Sequence, residues 1–285
     1  MIIGTNSKFF VNQNNSFVKI SDILNDVSKK NNNKTLNLPN FTFDDYCFNL
    51  KFNSNSEYDF IKKIYDNLNN IQNELNIANA TLSFNKFIEI SDSDFVNEYK
   101  NNLKNILKIK NVYDMNSKNS MDYYNNILPA LNGLTISDNL FLDKNLVKVF
   151  VKLIDLFLAV PLTFFENDMN EFVRKKFFYA GDYSTYSNEI TYYFTSNFWL
   201  DPDNINIAKF VYAILNFCYD FTVNNDYVKF YNINDSNVDV FGYDYFDLVN
   251  SLNNNNKSTL KKYLYFTYNF LPDELVNEIE TYIKY

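Results

Sequence analysis

The sequence predicts a mainly α-helical fold, an irregular helical bundle with a small β-containing region at the N-terminus. Three observations lead to this prediction. The chain has 285 residues but only 4 glycines and 5 prolines, whereas β-sandwiches and barrels need such turn residues at regular spacing. Apolar residues recur at helical spacing in several long segments. Asn and Asp are abundant and can serve as turn and cap residues in place of Gly.

The N-terminal region, residues 1–55, carries the strand signals. The segment KFFVNQNNSFVKI has two apolar runs around a polar centre and predicts a hairpin. The segment SDILNDV predicts a short helix with Ser21 as its N-cap. Around YCFNLKF, Tyr46, Phe48, Leu50 and Phe52 alternate with other residues, which indicates a strand.

A long helix is predicted to follow, and it opens the helical body at residues 56–285. Ser56 with Asp59 three residues later resembles a capping box. Apolar residues then follow at heptad spacing: Ile61, Ile64, Leu68, Ile71 and Leu75. We favour packing against neighbouring elements of the same chain, because the heptads are not sustained as in a coiled coil. The alternative is that these five residues bind another protein.

The most apolar stretch, VFVKLIDLFLAVPLTFF (149–165), predicts a central buried helix. It is too short for a membrane span and contains Lys152, Asp155 and Pro161. Lys148, Lys152 and Asp155 share one narrow stripe, which we expect to graze solvent. Pro161 should end or kink the helix.

A second segment, KFVYAILNFCYDF, repeats this polar row, and both segments follow a Leu-Asp pair. This similarity suggests a weak internal duplication of residues 142–165 and 200–222. Two independent buried helices would give the same pattern.

Further helices are predicted from SDSDF, SMDYYNNIL, DMNEFVRKKFFYA and three C-terminal segments. The last of these, PDELVNEIETYIKY, has Pro272 in its first turn, where proline is tolerated. Gly133 in LNGL resembles a helix C-cap. The tract YSTYSNEITYYFTSNFWL is ambiguous between a strand and a buried helix.

Composition excludes several kinds of chemistry. The chain has no histidine, which removes catalytic triads and His-metal sites. No phosphate-loop or nucleotide-binding motif is present, and so few glycines leave little backbone for one. The net charge is −8 and Arg174 is the sole arginine, so nucleic-acid binding is not expected. A local lysine patch remains compatible with this balance.

Neither a metal site nor a cofactor is predicted. Asp235, Asn237 and Asp239 match the opening of a calcium loop, but Val240 and Phe246 occupy its glycine and glutamate positions. The two cysteines, Cys47 and Cys218, lie far apart and each has apolar neighbours, which predicts two buried free thiols. Carboxylates could act as an acid–base pair, as in glycoside hydrolysis, but their spacing does not identify one.

These observations favour a non-catalytic structural or assembly protein that acts through protein–protein contacts, by self-assembly or in a larger complex. Asn, Lys, Ile, Tyr and Phe are encoded by AT-rich codons, and their abundance suggests an AT-rich genome. Such genomes are common among bacteriophages and large DNA viruses, which suggests a virion or phage component. One alternative is a soluble effector or immunity-type protein that binds and masks a partner, and another is a carboxylate-based hydrolase. The N-terminus lacks the pattern of a signal peptide, so a cytoplasmic or virion setting is expected, without a membrane span.

Overall fold

A computed structural model describes most of the chain. The described residues are 1–14, 16–30, 40–43, 47–84, 87–89, 110–113, 127–129, 132–166, 179–193, 197–230 and 245–283. The predicted helix at SDSDF, the basic segment around Arg174 and the calcium-like segment at Asp235 lie outside the described residues. So do residues 120–126 of the helix predicted from SMDYYNNIL, and the end of that segment is a strand rather than a helix.

Among the described residues, the fold centres on a large antiparallel sheet of nine strands, in the order β3-β4-β1-β9-β11-β10-β7, with β2 and β5 paired to β1. A separate two-stranded sheet pairs β6 with β8. The strands are β1 (Ile2–Gln13), β2 (Ser16–Phe17), β3 (Phe41–Phe43), β4 (Phe48–Ser54), β5 (Ala80–Ser83), β6 (Phe87–Glu89), β7 (Lys110–Asn111), β8 (Ile127–Pro129), β9 (Asn132–Ser137), β10 (Asp182–Tyr186) and β11 (Glu189–Tyr192).

This sheet shows that the prediction of a mainly α, all-helical body is wrong, since the fold is mixed α/β. The strand β9 contains Gly133, which was predicted to end a helix. The ambiguous aromatic tract contains the β10–β11 hairpin. Strands from residues 1–55 and from residues 132–192 belong to one sheet.

The strand β1 organises the sheet. Its 12 residues pair with β4 on one side and β9 on the other, and its distal end pairs with β5 and β2. The hairpin with β2 and the strand β4 confirm two predictions. Gly4 allows the close approach of β4, since a Cβ there would lie 2.1 Å from the carbonyl oxygen of Phe52.

Eight α-helices lie among the described residues. They are α1 (Ile20–Lys30), α2 (Glu57–Ile77), α3 (Lys144–Ile154), α4 (Val160–Phe165), α5 (Ile205–Val223), α6 (Tyr245–Asn254), α7 (Lys257–Thr267) and α8 (Asp273–Ile283). The predicted helix α2 is confirmed, with Ser56 as N-cap accepting from the Asp59 amide at 3.2 Å. The three C-terminal helices are confirmed as well. The helix α1 starts one residue before its predicted cap, Ser21.

The central apolar segment is buried as predicted, but it does not end at Pro161. A π-helical turn, Asp155–Ala159, joins α3 to α4, and the helix continues to Phe165. The backbone N–H of Val160 donates a hydrogen bond to the carbonyl oxygen of Asp155, five residues earlier. Because proline has no N–H to donate, this wider turn immediately before Pro161 lets the helix continue with little disruption.

Short 3-10 helices precede α3 and α5. They are Asn139–Leu142 before α3 and Asn197–Leu200 before α5, and each ends on the Leu of a Leu-Asp pair. The side chains of Asp143 and Asp201 then cap the next helical turn. The internal duplication stays a prediction.

Among the described residues, no helix combines the length and apolar character needed to cross a membrane.

Both cysteines are buried and free, which confirms that prediction. Cys47 and Cys218 are each fully inaccessible to solvent. Burial raises the pKa of the Cys218 thiol well above its usual value, because a thiolate is poorly solvated in an apolar core. Cys218 is therefore a small apolar core residue rather than a reactive thiol.

Candidate functional site

A cavity of about 300 Å³ lies between the end of the sheet and the first turns of α3. We call it the lysine pocket, and its lining residues are Lys110, Phe141, Leu142, Lys144, Val147, Lys148, Tyr183, Thr185 and Ser187. Its size falls at the lower end of the range for small-molecule sites.

Strand alternation places one wall of the lysine pocket. Lys110 on β7 lies opposite Tyr183 on β10, and directly opposed residues of paired strands share a face of the sheet. Thr185 lies two residues further along β10 and so on the same face. The Lys110 Nζ is 3.3 Å from the Thr185 hydroxyl oxygen, which directs this ammonium group along the strand toward the hairpin end.

The helix α3 and the 3-10 helix before it form the other wall. Lys144 and Lys148 are four residues apart and therefore neighbours on one helix face. Val147 lies between them and is buried, whereas Leu142 at the rim is 65% exposed. The walls therefore combine cationic and apolar groups.

The charge of the lysine pocket opposes that of the whole protein. Among the described residues, three lysines line it and no carboxylate does, although the chain carries 34 acidic and 26 basic residues. Lys144 and Lys148 have no ion-pair partner within 4 Å among the residues that the structure describes. No carboxylate of the described residues therefore neutralises these two ammonium groups.

Next to the pocket, a turn is fixed by a group of buried polar side chains that we call the carboxylate anchor: Asp155, Asp182 and Asn253. The three successive amides of residues 179–181 donate to Asp182 at 2.9 Å, to Asn253 at 2.8 Å and to Asp155 at 3.0 Å. A glycine, Gly181, adopts a φ of +81° in this turn, a conformation that other residues rarely take.

Side chains from the sheet complete the carboxylate anchor. Asp155 also accepts from the hydroxyls of Tyr192 at 2.6 Å and Tyr113 at 2.8 Å. Asp182 accepts from the Asn111 amide at 2.7 Å. The anchor thus links the π turn of the central helix, α6, β7 and β10.

The carboxyl groups of the anchor have raised pKa values. Burial is the main cause and raises the pKa of Asp155 to about 7, against the lowering effect of the Tyr192, Tyr113 and Gly181 hydrogen bonds. Burial likewise raises the pKa of Asp182 to about 6. The negative charge of Asp182 adds to the rise at Asp155, because like charges disfavour a second ionisation.

The anchor does not form a cleft. The exposed fractions of Asp155 and Asp182 are 0% and 2%, so water and substrate do not reach them in this conformation. The prediction that Asp155 grazes solvent on a polar stripe is therefore wrong; of that stripe, Lys148 is exposed and Lys152 half-buried.

The candidate interaction residues of α2 lie in the interior. Ile64, Leu68, Ile71 and Leu75 are buried in the hydrophobic core, and Ile61 is half-buried. Packing on β4, β5, α1 and α5 therefore accounts for their heptad spacing. Their role in binding another protein stays a prediction.

Sequence reasoning anticipated neither the pocket nor the anchor. The i,i+4 spacing of Lys144 and Lys148 was a readable signal, but Lys110 comes from a distant segment. Within the described ranges, no group of three or more Asp, Glu or Cys residues is arranged to hold a metal ion.

No protein family model, no curated protein and no solved structure matches this chain.

Proposed function

We propose that the protein is a non-catalytic structural or assembly protein that acts through contacts between protein subunits. One observation carries this proposal. The outer face of α2 presents two large tyrosines to solvent, Tyr58 at 78% and Tyr65 at 53% exposure.

These tyrosines form a continuous surface feature. They are seven residues apart on α2, which is about two turns or 10 Å along the helix axis. Exposed Lys62 lies between them, and we call Tyr58, Lys62 and Tyr65 the tyrosine face. Tyrosine is enriched at protein interfaces, because its ring buries a large apolar area while its hydroxyl retains a hydrogen bond.

The opposite side of the same helix makes the tyrosine face rigid. The inner residues of α2 pack in the core, so the outer side chains project from a fixed backbone. A preorganised surface loses less conformational entropy on binding than a loop does. Self-assembly through α2 is therefore supported by the outer face of the helix rather than by its heptad seam.

The burial of the carboxylate anchor weighs against the hydrolase alternative. Glycoside hydrolysis needs two carboxyl groups in reach of a substrate, one on either side of the scissile bond. Asp155 and Asp182 have raised pKa values but are sealed in the core. Their hydrogen bonds to the turn at 179–181 support a structural role.

Sedimentation velocity across the micromolar range tests the proposal. We expect the native protein to self-associate and Tyr58→Ser/Tyr65→Ser to shift the equilibrium to monomer. The control is Tyr186→Ser, the same substitution at an exposed tyrosine on β10. Both variants should keep their stability within about 0.5 kcal/mol, because the side chains are exposed.

Copurification from the source separates self-assembly from the effector alternative. A symmetric oligomer supports assembly, whereas a one-to-one complex with a different protein supports an effector or immunity-type binder. A native protein that stays monomeric and retains no partner would contradict both.

A further inference from the structure

We propose that the lysine pocket binds a small organic molecule that carries a phosphate monoester. The site does not include the tyrosine face and is independent of the assembly proposed above. Three features carry the inference: the three lysines among the described lining residues, the apolar wall beside them and the size of the cavity.

The positions of two lysines are unfavourable for the helix itself. Lys144 is the first residue of α3 and Lys148 lies one turn later. Cations near a helix N-terminus oppose the helix dipole. Two like charges at i,i+4 also destabilise a helix. Local stability therefore does not explain this pair, whereas a bound anion would compensate for both effects.

The third lysine approaches from the sheet. Lys110 is on β7, and its contact with the Thr185 hydroxyl holds it on the pocket side of the strand. Two elements thus supply cations to the same cavity. A phosphate monoester carries close to two negative charges at neutral pH and has three acceptor oxygens. It matches three ammonium donors better than a single carboxylate does.

The remaining walls favour an organic group attached to the phosphate. Phe141, Leu142 and Val147 provide an apolar surface beside the lysines. The cavity of about 300 Å³ exceeds what an inorganic phosphate fills. Burying an apolar group against this wall adds a favourable hydrophobic contribution to binding. We therefore expect the organic part to contribute to affinity and not only the charge.

Isothermal titration calorimetry of the full chain at low ionic strength tests the inference. Phenyl phosphate is the probe, and benzoate and inorganic phosphate are the comparison ligands. We expect phenyl phosphate to bind at least about tenfold more tightly than either, which equals about 1.4 kcal/mol. High salt should weaken the binding, because the lysines are exposed.

Matched variants locate the site. Lys144→Gln/Lys148→Gln should weaken phenyl phosphate binding at least tenfold. Lys51→Gln/Lys262→Gln makes the same change in net charge at exposed positions away from the pocket and should leave the affinity within about twofold. Circular dichroism of both variants checks that the fold is retained.

Three results would overturn the proposal. The first is equal binding of phenyl phosphate and inorganic phosphate, which would mean that the apolar wall contributes nothing. The second is equal loss of affinity in the two double variants, which would indicate a diffuse charge effect. The third is displacement of phenyl phosphate by a hexaglutamate peptide that binds more tightly, which would assign the pocket to an acidic protein segment.

Discussion

Strands β7 and β10 border two regions, one in which charged side chains are buried and one in which they are exposed to solvent. In the carboxylate anchor, Asp155 and Asp182 are removed from water and their oxygens accept hydrogen bonds from the surrounding backbone and side chains. In the lysine pocket, Lys144 and Lys148 remain in contact with solvent and have no carboxylate partner among the described residues.

Neighbouring residues of the same strands contribute to both regions. On β7, Asn111 bonds to the anchor while Lys110 lines the pocket. On β10, Asp182 belongs to the anchor while Tyr183 lines the pocket. This alternation follows from the two-residue period of a strand. For Asp155 and Asp182, burial with hydrogen-bonded oxygens indicates a structural role. Exposed lysines that line a cavity without a carboxylate partner among the described residues favour the binding of an anion.

The largest effect on stability is expected from a new carboxylate placed next to Asp155 in the sequence, where it lacks the hydrogen-bond donors that Asp155 has. Ile154 precedes Asp155 and is fully buried. We expect Ile154→Asp to destabilise the protein by more than about 4 kcal/mol and to unfold it at neutral pH, because the new charge has no partner. Far-UV circular dichroism and urea unfolding measure this effect.

A conservative variant at the same position is the control for that experiment. Ile154→Val should cost only about 0.5–1.5 kcal/mol, since it removes one methylene group. An Ile154→Asp protein that stays folded would show that this part of the helix is open to solvent, and would make the segment a candidate interface.

The next largest effect is expected from removing the central acceptor of the anchor. Asp155→Leu leaves the Gly181 amide and the hydroxyls of Tyr192 and Tyr113 without their acceptor. Each unsatisfied buried donor costs about 1–3 kcal/mol, so we expect a loss of about 3 kcal/mol or more in urea unfolding. Asp155→Asn keeps the shape and one acceptor oxygen and should lose clearly less. Equal losses in both variants would contradict the hydrogen-bond explanation.

The helices that the structure confirms were predictable because their signals are local. Ser56 caps α2 as predicted, and the apolar spacing along α2 and the central segment matches the observed buried faces. The strand β4 was also predictable, because its buried residues alternate with more exposed ones. In each case, the signal lies within a single short stretch of sequence.

The sheet was missed for two physical reasons. Its turns use Asn14, Asn79 and Ser187 at positive φ in place of glycine, so low glycine content did not exclude strands. The strand β1 is covered on both faces and buries Thr5 and Ser7, which bond to each other at 2.6 Å. Without clear alternation of apolar and polar residues, such a strand has no period-two signal.

Neither candidate site was predictable as a unit, since each depends on long-range pairing. The pocket needs the pairing of β7 with β10, which joins Lys110 to residues more than 70 positions away. The anchor needs Asn253 to reach the turn at 179–181. Single-sequence patterns identify the elements of such sites but not their arrangement.

A smaller effect is expected from pH, and it distinguishes the anchor from ordinary surface carboxylates. The pKa of Asp155 is raised to about 7 and that of Asp182 to about 6, so the folded state binds more protons than the unfolded state between about pH 4 and 7. Stability should therefore rise as the pH falls from 7 to 5. Urea midpoints across this range measure the slope.

Asparagine variants separate the contribution of the anchor. Asp155→Asn should flatten the rise in stability, since it removes the group with the highest pKa of the pair. Asp66→Asn makes the same substitution on the exposed side of α2 and serves as the control. A wild-type protein whose urea midpoint falls steadily from pH 7 to 5 would show that Asp155 is ionised at little cost and that the anchor is hydrated.

The smallest effect on the free energy of unfolding is expected from substituting a lysine of the lysine pocket. Lys148 is exposed and has no ion-pair partner among the described residues, and it lies one turn from Lys144 on α3. Lys148→Gln should therefore change the free energy of unfolding by less than about 0.5 kcal/mol, with a small gain from reduced repulsion. Urea unfolding measures this change at low and high salt, and the gain should disappear at high salt because exposed charges are screened. A loss above about 1 kcal/mol would mean that Lys148 supports the fold as Asp155 does, and the contrast between a binding pocket and a structural anchor would no longer hold.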